Sequence, residues 1–322
     1  MNTIGHIFRL TTFGESHGTA IGGVIDGCPS QLKLDFGFID SELQRRRTAQ
    51  SATSSQRLEP DKIEWLSGLL DGTTLGTPIA FMVRNEDCKS ADYENLKDVY
   101  RPSHADFTYE RKYGIRDWRG GGRASARTTL PIVVAGAIAK QILIEKDIFV
   151  RAETVFMGNA EQARKEGDTV GGIAECRIMG VPAGLGEPMF GKFSAELAHA
   201  MFSLPAVKGF EIGDGFALAK MKGSEANDTF INKDGRITTL TNHSGGIQGG
   251  ITNGNDVVFR VAFKPIPSIA KPQQTVNRAG KPCEISIGGR HDVCALLRAL
   301  VLVEALAAMV TFDLLLRSQS LS

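Results

Sequence analysis

The stretch Val293–Leu316 is apolar around most of its helical circumference, and this feature limits the fold more than any other. A helix at the protein surface keeps a polar face, whereas a helix that is apolar all round has to be covered on several sides. Arg298, Glu304 and Asp313 interrupt the stretch, which disfavours a helix that spans a bilayer. We therefore expect this segment to form a helix that is sandwiched inside the fold.

The other apolar segments switch in period and predict several strands and a few helices. Helices are expected near Phe36–Arg47, Ser125–Lys146 and Ser194–Ser203, and Asn159–Asp168 is the most linker-like segment. Strand pairs separated by short glycine turns favour antiparallel sheets, and the regular alternation of a doubly wound fold is not seen. The predicted fold class is therefore α+β. The predicted strands are Ile4–Thr12, Ala20–Ile25, Lys62–Gly68, Thr77–Arg84, Gly172–Val181, Phe210–Lys220 and Asp256–Lys264.

Length, charge and cysteine content narrow the function classes. A chain of 322 residues can form one large domain or two smaller ones. Its 37 Lys and Arg against 36 Asp and Glu give a formal charge of +1, which favours neither nucleic acid nor membrane partners. The five cysteines are scattered without a C-x-x-C pair, so we expect no disulfide framework and no metal site, and a reducing cytoplasm. Met1–Phe13 is too polar for the core of a signal peptide.

The segment Gly14-Glu15-Ser16-His17-Gly18 satisfies the G-x-S-x-G pattern of serine hydrolases. That nucleophile turn normally follows several strands and an oxyanion loop, whereas only 13 residues precede Gly14. A second interpretation is that the glycines free Ser16 and His17, at a strand end, to face a ligand. A third is a plain turn with a surface histidine, so the pattern alone leaves the function open.

The segment Arg101–Arg127 is the densest in chemically useful side chains, with seven Lys or Arg against three Asp or Glu. The glycine triplet Gly120–Gly122 allows backbone amides to approach a ligand closely, and Ser125 is suited to cap the helix that follows. A helix N-terminus flanked by arginines is a ready site for an anion. A solvated basic loop and an RNA-binding stretch are the alternatives, and the near-zero charge of the chain disfavours the latter.

Two further glycine-rich segments have to be considered as ligand sites. Gly186–Phe193 has the spacing of a P-loop, but Phe193 replaces the required Ser or Thr and Pro188 removes a backbone amide. We therefore reject the P-loop interpretation. The paired glycines of Thr241–Gly250, followed by Lys-Pro-x-Pro-Ser in Phe259–Ser268, indicate a rigid loop against a flat or phosphorylated ligand.

Two charged segments lie next to predicted helices. Gly288–Asp292 opens the C-terminal helix, and Asp292 fits either its N-cap or a catalytic role. Arg45-Arg46-Arg47 ends a predicted helix, where cations favour the helix dipole, and taken alone it is typical of a solvated face.

Taken together and in this order, these motifs resemble the chorismate synthase family over nearly the whole chain, from Ile4 to about Leu316. The resemblance implies that 5-enolpyruvylshikimate-3-phosphate loses phosphate and a C6 hydrogen to give chorismate, in a 1,4-anti elimination that requires reduced FMN. It also implies a β-α-β sandwich of two antiparallel sheets around central helices, a single catalytic domain over residues 1–322, and a homotetramer. The matching motifs are T-T-F-G-E-S-H-G, R-R-R, R-P-S-H-A-D-x-T-Y, R-G-G-G-R-x-S-A-R, V-P-A-G-L-G-E-P, A-V-K-G-x-E-I-G-D-G-F, G-G-I-x-G-G-I, F-K-P-x-P-S-I and G-R-H-D-x-C.

The resemblance also implies roles for individual residues. His17 matches the residue that protonates the departing phosphate, and His104 matches the one that protonates the monoanionic reduced flavin. Histidine suits both tasks because its ordinary pKa of about 6.5 lies near working pH. Asp292 matches a carboxylate that helps to remove the N5 proton of the flavin, and Ser16 and Ser125 are candidates to relay protons.

The same resemblance divides the binding residues into two groups. The substrate carries two carboxylates and a phosphate, so its site has to supply several fixed cations. The implied substrate-binding residues are Arg47, Arg101, Ala126, Arg127 and Arg290. The implied flavin-binding residues are Arg46, Arg123, Ala124, Ser125, Gly249, Lys264, Pro265, Ile266, Pro267, Ser268 and Arg290. No Rossmann fingerprint is visible, which favours an external flavin reductase over NADPH acting directly as the reductant.

Several positions depart from the family pattern, and the segment between Val150 and Asp168 is shorter than usual. None of these departures removes His17, His104 or Asp292, and the four implied substrate arginines are also kept. A non-catalytic flavin-binding relative and a serine hydrolase are the alternatives to an active enzyme. The departing positions are Thr48, Ala49, Ala52, Thr128, Leu130, Pro131, Ile132, Val293, Leu297 and Leu300.

Overall fold

Two antiparallel sheets enclose a layer of helices in the computed structural model, which describes residues 1–47, 60–86, 90–287 and 292–319. This arrangement confirms the predicted α+β class. The strands are β1 (Thr3–Ile4), β2 (Arg9–Gly14), β3 (Ala20–Asp26), β4 (Ile63–Trp65), β5 (Leu69–Leu70), β6 (Thr73–Thr74), β7 (Ile79–Arg84), β8 (Phe149–Met157), β9 (Gly172–Met179), β10 (Val207–Ile212), β11 (Phe230–Lys233), β12 (Arg236–Thr239), β13 (Ile247–Gln248), β14 (Ile251–Thr252), β15 (Val257–Phe263), β16 (Gln273–Val276) and β17 (Pro282–Ile285). The helices are α1 (Phe36–Arg46), α2 (Asp106–Tyr113), α3 (Leu130–Ile144), α4 (Ala160–Lys165), α5 (Phe193–Phe202), α6 (Gly223–Ala226) and α7 (Leu296–Gln319), with 3₁₀ turns at Ser90–Leu96, Arg119–Ala124, Ala126–Thr129 and Gly215–Lys220.

The first sheet has the strand order β1-β2-β3-β7-β4, and every neighbouring pair is antiparallel. Its register places Leu10 opposite Ile25 and Ile25 opposite Ile79, so apolar side chains from three strands share one buried face. This face packs against α3. Because β2 ends at Gly14, the Gly-Glu-Ser-His-Gly segment lies at the end of this strand, where the backbone N–H of Ser16 donates to the carbonyl of Gly122.

The second sheet has the order β10-β15-β9-β8 and is also antiparallel throughout. Cys176 of β9 lies opposite Phe259 of β15, and both side chains are fully buried. The sheet packs against α5 and α7. Since β15 runs directly into Lys264, this sheet positions the Lys-Pro-x-Pro-Ser segment.

Helices α3 and α7 pack against each other between the two sheets. A Cβ on Gly136 of α3 would overlap the backbone of Ala305 on α7, so only glycine permits this close approach. Nearly all of α7 is buried, which confirms the prediction of a sandwiched helix. The helical stretches Arg119–Ile144 and Leu296–Gln319 are both long and apolar enough to cross a membrane, but most of each is buried inside the protein, as in core helices.

A buried group of charged side chains connects α1, α3 and α7. Lys140 donates to Glu42 and, at 2.5 Å, to Glu304. Arg45 donates to Glu304 from both terminal nitrogens, at 2.6 and 2.7 Å. The Glu304 carboxylate also accepts a hydrogen bond from the backbone N–H of Ala152 at 2.9 Å. Burial would raise the pKa of Glu304, but its hydrogen bonds and ion pairs with Arg45 and Lys140 hold that pKa below its ordinary value.

Two local predictions along the chain are wrong. Asn159–Asp168 is not a linker, because Asn159 accepts a hydrogen bond from the Gln162 backbone at 3.0 Å and so caps helix α4. The predicted strand Phe210–Lys220 already ends at Ile212, since glycines with positive φ follow and turn the chain into a 3₁₀ segment.

The predicted N-cap of the terminal helix is a further correction. Helix α7 begins at Leu296 and not directly after Asp292. The Asp292 carboxylate instead accepts a hydrogen bond from Arg298 at 2.6 Å. Asp292 is therefore held by a side chain of the first helical turn and not by the backbone amides of that turn.

Candidate active site

The loop Glu15–Gly18 joins β2 to β3 and carries both Ser16 and His17. Asn85, directly after β7, donates from Nδ2 to the carbonyls of Glu15 at 3.0 Å and Gly18 at 2.8 Å. All residues from 15 to 19 are described and none is helical, whereas the nucleophile turn of hydrolases leads into a helix. The local structure therefore disfavours the hydrolase interpretation.

The glycine triplet Gly120–Gly122 contacts both predicted catalytic histidines. Its φ values of +57°, +82° and +53° lie in the region that favours glycine. A Cβ on Gly120 would overlap the ring of His17, and a Cβ on Gly121 would lie 3.3 Å from the ring of His104. The triplet is therefore a common contact of two imidazoles that are far apart in the sequence.

His104 is held by a buried network around Asp106. Arg101 donates to both carboxylate oxygens of Asp106, at 2.7 and 2.8 Å, and Arg116 donates to one of them at 3.1 Å. Nδ1 of His104 lies 3.0 Å from Oδ1 of the same carboxylate. Burial would raise the pKa of Asp106, but the hydrogen bonds from Arg101 and His104 hold it well below its ordinary value.

The imidazole of His104 is neutral at neutral pH in the free protein. Burial lowers its pKa, the hydrogen bond to Asp106 opposes this shift, and the positive charges of Arg101 and Arg116 add to it. Because the ionised carboxylate faces Nδ1, the neutral ring keeps its proton on Nδ1 and directs Nε2 toward Gly121. An anion bound beside this ring would raise its pKa and make it a proton donor.

Three arginines of the predicted site surround Asp61, which is 3 % exposed. Arg127 pairs with one carboxylate oxygen, while Arg46 and Arg47 lie 3.8 and 3.7 Å from the other. Arg46 is itself only 3 % exposed and donates to the carbonyl of Ala126 at 2.8 Å. The interpretation of the arginine triplet as a solvated face is therefore wrong for Arg46.

A cavity of about 530 Å³, called the central cavity below, lies between these groups and the loop that follows β15. Its volume is in the range of small-molecule sites. Most of the predicted site residues line it, including both the glycine-triplet segment and the Lys-Pro-x-Pro-Ser segment. The predicted residues in its lining are Arg46, Arg101, His104, Arg123, Ala124, Ser125, Ala126, Lys264, Ile266, Pro267, Ser268 and Asp292.

Other predicted residues lie behind this lining within the described part of the chain. His17 contacts two lining residues, Gly120 and Tyr93, the latter with ring centroids 5.3 Å apart. Ser16 is buried and its backbone N–H donates to Gly122 at 3.3 Å. Arg47 and Arg127 pair with Asp61, which also contacts the lining residue Arg46. Pro265 lies in the chain between the lining residues Lys264 and Ile266. Arg290, Thr48, Ala49 and Ala52 are outside the described residues.

Gly249 is not brought to the central cavity. It lies in the turn between β13 and β14, where the Gly250 carbonyl accepts a hydrogen bond from Phe193 at the start of α5. The central cavity is lined by Ser203 and Leu204, at the other end of that helix. A helix of ten residues is about 15 Å long, so Gly249 is separated from the cavity by roughly the length of α5.

The structure adds lining residues that the motifs did not identify. Arg298 donates to Asp292 at 2.6 Å and to the carbonyl of Arg46 at 3.1 Å, so it connects two of the predicted site residues. Its only sequence signal is that it is one of the few charged residues in a mainly apolar helix. The apolar part of the wall consists of Leu204, Pro205, Ala206, Phe263, Ala299 and Leu302.

Thr128, which replaces the glutamate of the family pattern, has a local role in the structure. Its hydroxyl donates to the carbonyls of Arg123 at 3.1 Å and Ser125 at 2.8 Å. Ser125 in turn accepts a hydrogen bond from the Arg127 backbone at 3.3 Å, as expected of a helix cap. The turn that carries the predicted flavin-binding residues is therefore supported despite the substitution.

A second cavity of about 1200 Å³ lies on the other side of Arg123, against β2 and the 115–119 segment. It is lined by Trp118, Tyr113 and Phe13, and its lining contains neither His104 nor Lys264. We therefore take the smaller central cavity as the candidate site, because its lining contains His104, Lys264 and Asp292.

The residues around the central cavity fit a flavin. The apolar wall with Phe263 and Leu302 suits a flat ring system, and the cations Arg46, Arg123 and Lys264 suit its anionic groups. Burial, together with the charge of Lys208, lowers the pKa of Lys264, whose Nζ donates to the carbonyl of Ser103 at 2.9 Å. The fold and the site thus define a protein with two antiparallel sheets whose central cavity has the composition of a site for an anionic small molecule.

Comparisons with known proteins agree with this class. A sequence model of the family "Chorismate synthase" matches residues 8–162 and 151–316. The chorismate synthase of Porphyromonas gingivalis is 51% identical over 356 aligned positions, covering 99% of this chain and 97% of that protein. That of Parabacteroides distasonis is 49% identical, covering 98% of each. A crystal structure of chorismate synthase superimposes with a TM-score of 0.77 at 29% identity, covering 98% of this chain and 93% of the other.

The chain belongs to the chorismate synthase family. It is therefore a lyase of aromatic amino acid biosynthesis that acts on a small-molecule substrate.

Proposed function

We propose that the central cavity holds reduced FMN together with 5-enolpyruvylshikimate-3-phosphate and that chorismate and phosphate form there. The observation that carries this proposal is the common contact of His17 and His104 with the glycine triplet, at the wall of an arginine-lined cavity. Proton donors next to fixed cations are what the departure of a phosphate group needs.

The substrate-binding part of the proposal rests on the buried arginines. Arg101 lines the central cavity, and Arg47 and Arg127 lie around Asp61 behind Arg46. Two carboxylates and a phosphate leave water only if fixed cations replace their hydration. In a site of low dielectric constant, each arginine stabilises such an anion more than it would at the surface. The backbone of Ala126 lies between these groups and completes the proposed substrate subsite.

The flavin-binding part rests on two segments that meet across the cavity. When bound, reduced FMN would donate an electron transiently and so weaken the C–O bond to phosphate. Gly249 lacks support as a member of this group, because it lies at the other end of α5. The proposed flavin-binding residues are Arg46, Arg123, Ala124, Ser125, Lys264, Ile266, Pro267 and Ser268.

The acid–base part follows from the positions of the titratable side chains. The reaction has no net redox change: the C–O bond to phosphate and the C–H bond at C6 break, and the ring gains a double bond. His17 donates a proton to the departing phosphate, and His104 holds a proton beside the bound anions. Asp292, which is hydrogen-bonded to Arg298, accepts a proton. The hydroxyls of Ser16 and Ser125 serve as proton relays.

Several wider assignments accompany this proposal. An external flavin reductase supplies the reduced cofactor, with NADPH as the alternative direct donor. The chain forms a homotetramer in the cytoplasm, as the family resemblance implies. Residues 1–322 act as a single catalytic domain, and one continuous apolar core that reaches from Phe8 through Phe193 to Leu315 supports this.

Anaerobic phosphate release from 5-enolpyruvylshikimate-3-phosphate, with dithionite-reduced FMN, tests the proposal. We expect turnover that depends on reduced flavin and that falls at least 100-fold in His104→Ala. The matched control is His6→Ala, because the His6 side chain is 61% exposed and lies outside the site. Flavin binding without phosphate release would identify a non-catalytic relative, and covalent labelling of Ser16 by a fluorophosphonate, with no effect of FMN, would identify a hydrolase.

A further inference from the structure

Asp61 is a buried carboxylate to which none of the sequence motifs assigns a role. Its side chain is 2% exposed and contacts three arginines, two of which are in the proposed substrate subsite. Its φ of +50° lies in the left-handed region, which is unfavourable for residues other than glycine. The surrounding structure therefore holds this carboxylate in place against a local backbone preference.

The arginines around Asp61 are also oriented by uncharged groups. Arg127 donates from Nε to Oδ1 of Asn85 at 3.1 Å and from Nη2 to the carbonyl of Arg84 at 3.4 Å. Arg46 donates to the carbonyl of Ala126 at 2.8 Å and to the hydroxyl of Thr129 at 3.4 Å. These contacts orient the guanidinium planes of Arg46 and Arg127 in addition to the hydrogen bond that Arg127 donates to Asp61. The carboxylate also adds a negative charge in the middle of three positive ones.

That charge bears on substrate affinity. Three guanidinium charges in a site of low dielectric constant attract the anionic substrate strongly, but they attract both anionic products as well. Asp61 reduces the charge of the cluster from three to two. A permanent internal anion of this kind weakens the binding of substrate and product alike, which keeps product release from becoming slow.

We propose that Asp61 is an affinity-setting residue: its carboxylate offsets part of the charge of Arg46, Arg47 and Arg127 so that substrate and phosphate bind reversibly. The inference rests on the proposed function, because it takes Arg47 and Arg127 as substrate-binding. It differs from a purely structural ion pair in one respect that can be measured. Removal of the negative charge tightens anion binding, whereas loss of a merely structural partner leaves it unchanged or weakens it.

Asp61→Asn tests the inference, since it keeps the shape of the side chain and removes its charge. The inhibition constant of inorganic phosphate and the KM for 5-enolpyruvylshikimate-3-phosphate are expected to fall about tenfold, equivalent to about 1.4 kcal/mol. The matched control is Asp26→Asn, which breaks the surface pair of Asp26 with Arg9, both about half exposed, and should change neither constant. Constants that stay the same or rise in Asp61→Asn would overturn the inference.

A second variant covers the case in which Asp61→Asn does not fold. Asp61→Gly accommodates the positive φ and leaves a space among the arginines that a small anion can enter. Inorganic phosphate, titrated against sodium chloride at equal ionic strength, should raise the melting temperature of this variant more than that of the wild type. Equal or smaller shifts in the variant would contradict the inference. Failure of the wild type to release phosphate would overturn the proposed function, while phosphate binding measured in this way would still report on Asp61.

Discussion

Asp106 accepts a hydrogen bond from Nδ1 of His104 at 3.0 Å while it binds Arg101 through both carboxylate oxygens. The carboxylate therefore links Arg101, which we propose binds substrate, to His104, which we propose holds a proton. It also opposes the burial and the neighbouring positive charges that lower the pKa of His104. The position of this single side chain thus fixes the tautomer of the histidine and partly offsets the effect of burial on its pKa.

Asp106→Asn should lower the pKa of His104 further, because the favourable carboxylate is lost while burial and Arg101 remain. If protonated His104 is needed for turnover, activity declines as pH rises through that pKa. The alkaline limb of the kcat profile should therefore move to lower pH, with kcat at neutral pH reduced about 10- to 100-fold. Asp168→Asn, which breaks the surface pair with Lys271 at 2.8 Å, is the control. An unshifted limb would argue against the assigned role of His104.

The same carboxylate should make the folded state sensitive to acid. The pKa of Asp106 is held well below its unfolded value of about 3.9. Its contribution to stability is therefore complete above that value and is lost as pH falls below it. Urea unfolding at pH 3 and pH 6 should show a smaller loss of free energy of unfolding in Asp106→Asn than in the wild type. Equal losses in both proteins would mean that Asp106 does not contribute to this dependence.

Gly120→Ala should displace the ring of His17, because the added Cβ occupies the space of the imidazole. We expect at least a 100-fold loss of kcat in a protein that still folds. Gly235→Ala is the matched control, since Gly235 also has a positive φ, +82°, but its Cβ would meet no atom within 4 Å. Both variants carry the backbone strain of about 1 kcal/mol, and only the first removes the contact with His17. Similar activity in the two variants would separate the glycine triplet from catalysis.

Much of the fold could be predicted from periodicity and glycine positions. The predicted strands Ala20–Ile25 and Asp256–Lys264 and the helix near Ser194–Ser203 match observed elements to within a residue or two, because each has one uninterrupted pattern. The strand predicted over Phe210–Lys220 is too long because its apolar residues continue beyond Ile212, and the 3₁₀ turn that contains them has no distinct sequence pattern.

The site was only partly accessible to the same reasoning. Motifs identified residues that line the central cavity, such as His104 and Ser125, since local glycine and charge patterns mark them. No local sequence pattern identifies Asp61. It is separated from Arg127 by 66 positions in the sequence, and only the tertiary fold brings the two side chains into contact. Arg298 could not be identified in this way either, because an isolated charge in a mainly apolar helix does not indicate which residue it contacts.

Lys140→Met tests the buried charges that connect α1, α3 and α7. Lys140 is 6% exposed and is hydrogen-bonded to both Glu42 and Glu304. Its removal leaves two buried carboxylates that share Arg45 as a cation partner within the described part of the chain, and breaking such a pair typically costs about 3–5 kcal/mol. We expect a loss of this size in the free energy of unfolding, measured by urea denaturation.

The double variant Lys140→Met, Glu42→Gln separates charge from packing. With one of the two carboxylates that lose Lys140 neutralised, part of the lost stability should return, because a neutral amide is less costly to bury than an ion. Lys165→Met is the control for loss of a lysine on a helix, since its pair with Glu161 at 2.9 Å is exposed and contributes only about 0.3–0.5 kcal/mol. If the single and double variants unfolded at the same urea concentration, the loss would come from packing of the lysine side chain and not from unpaired charge.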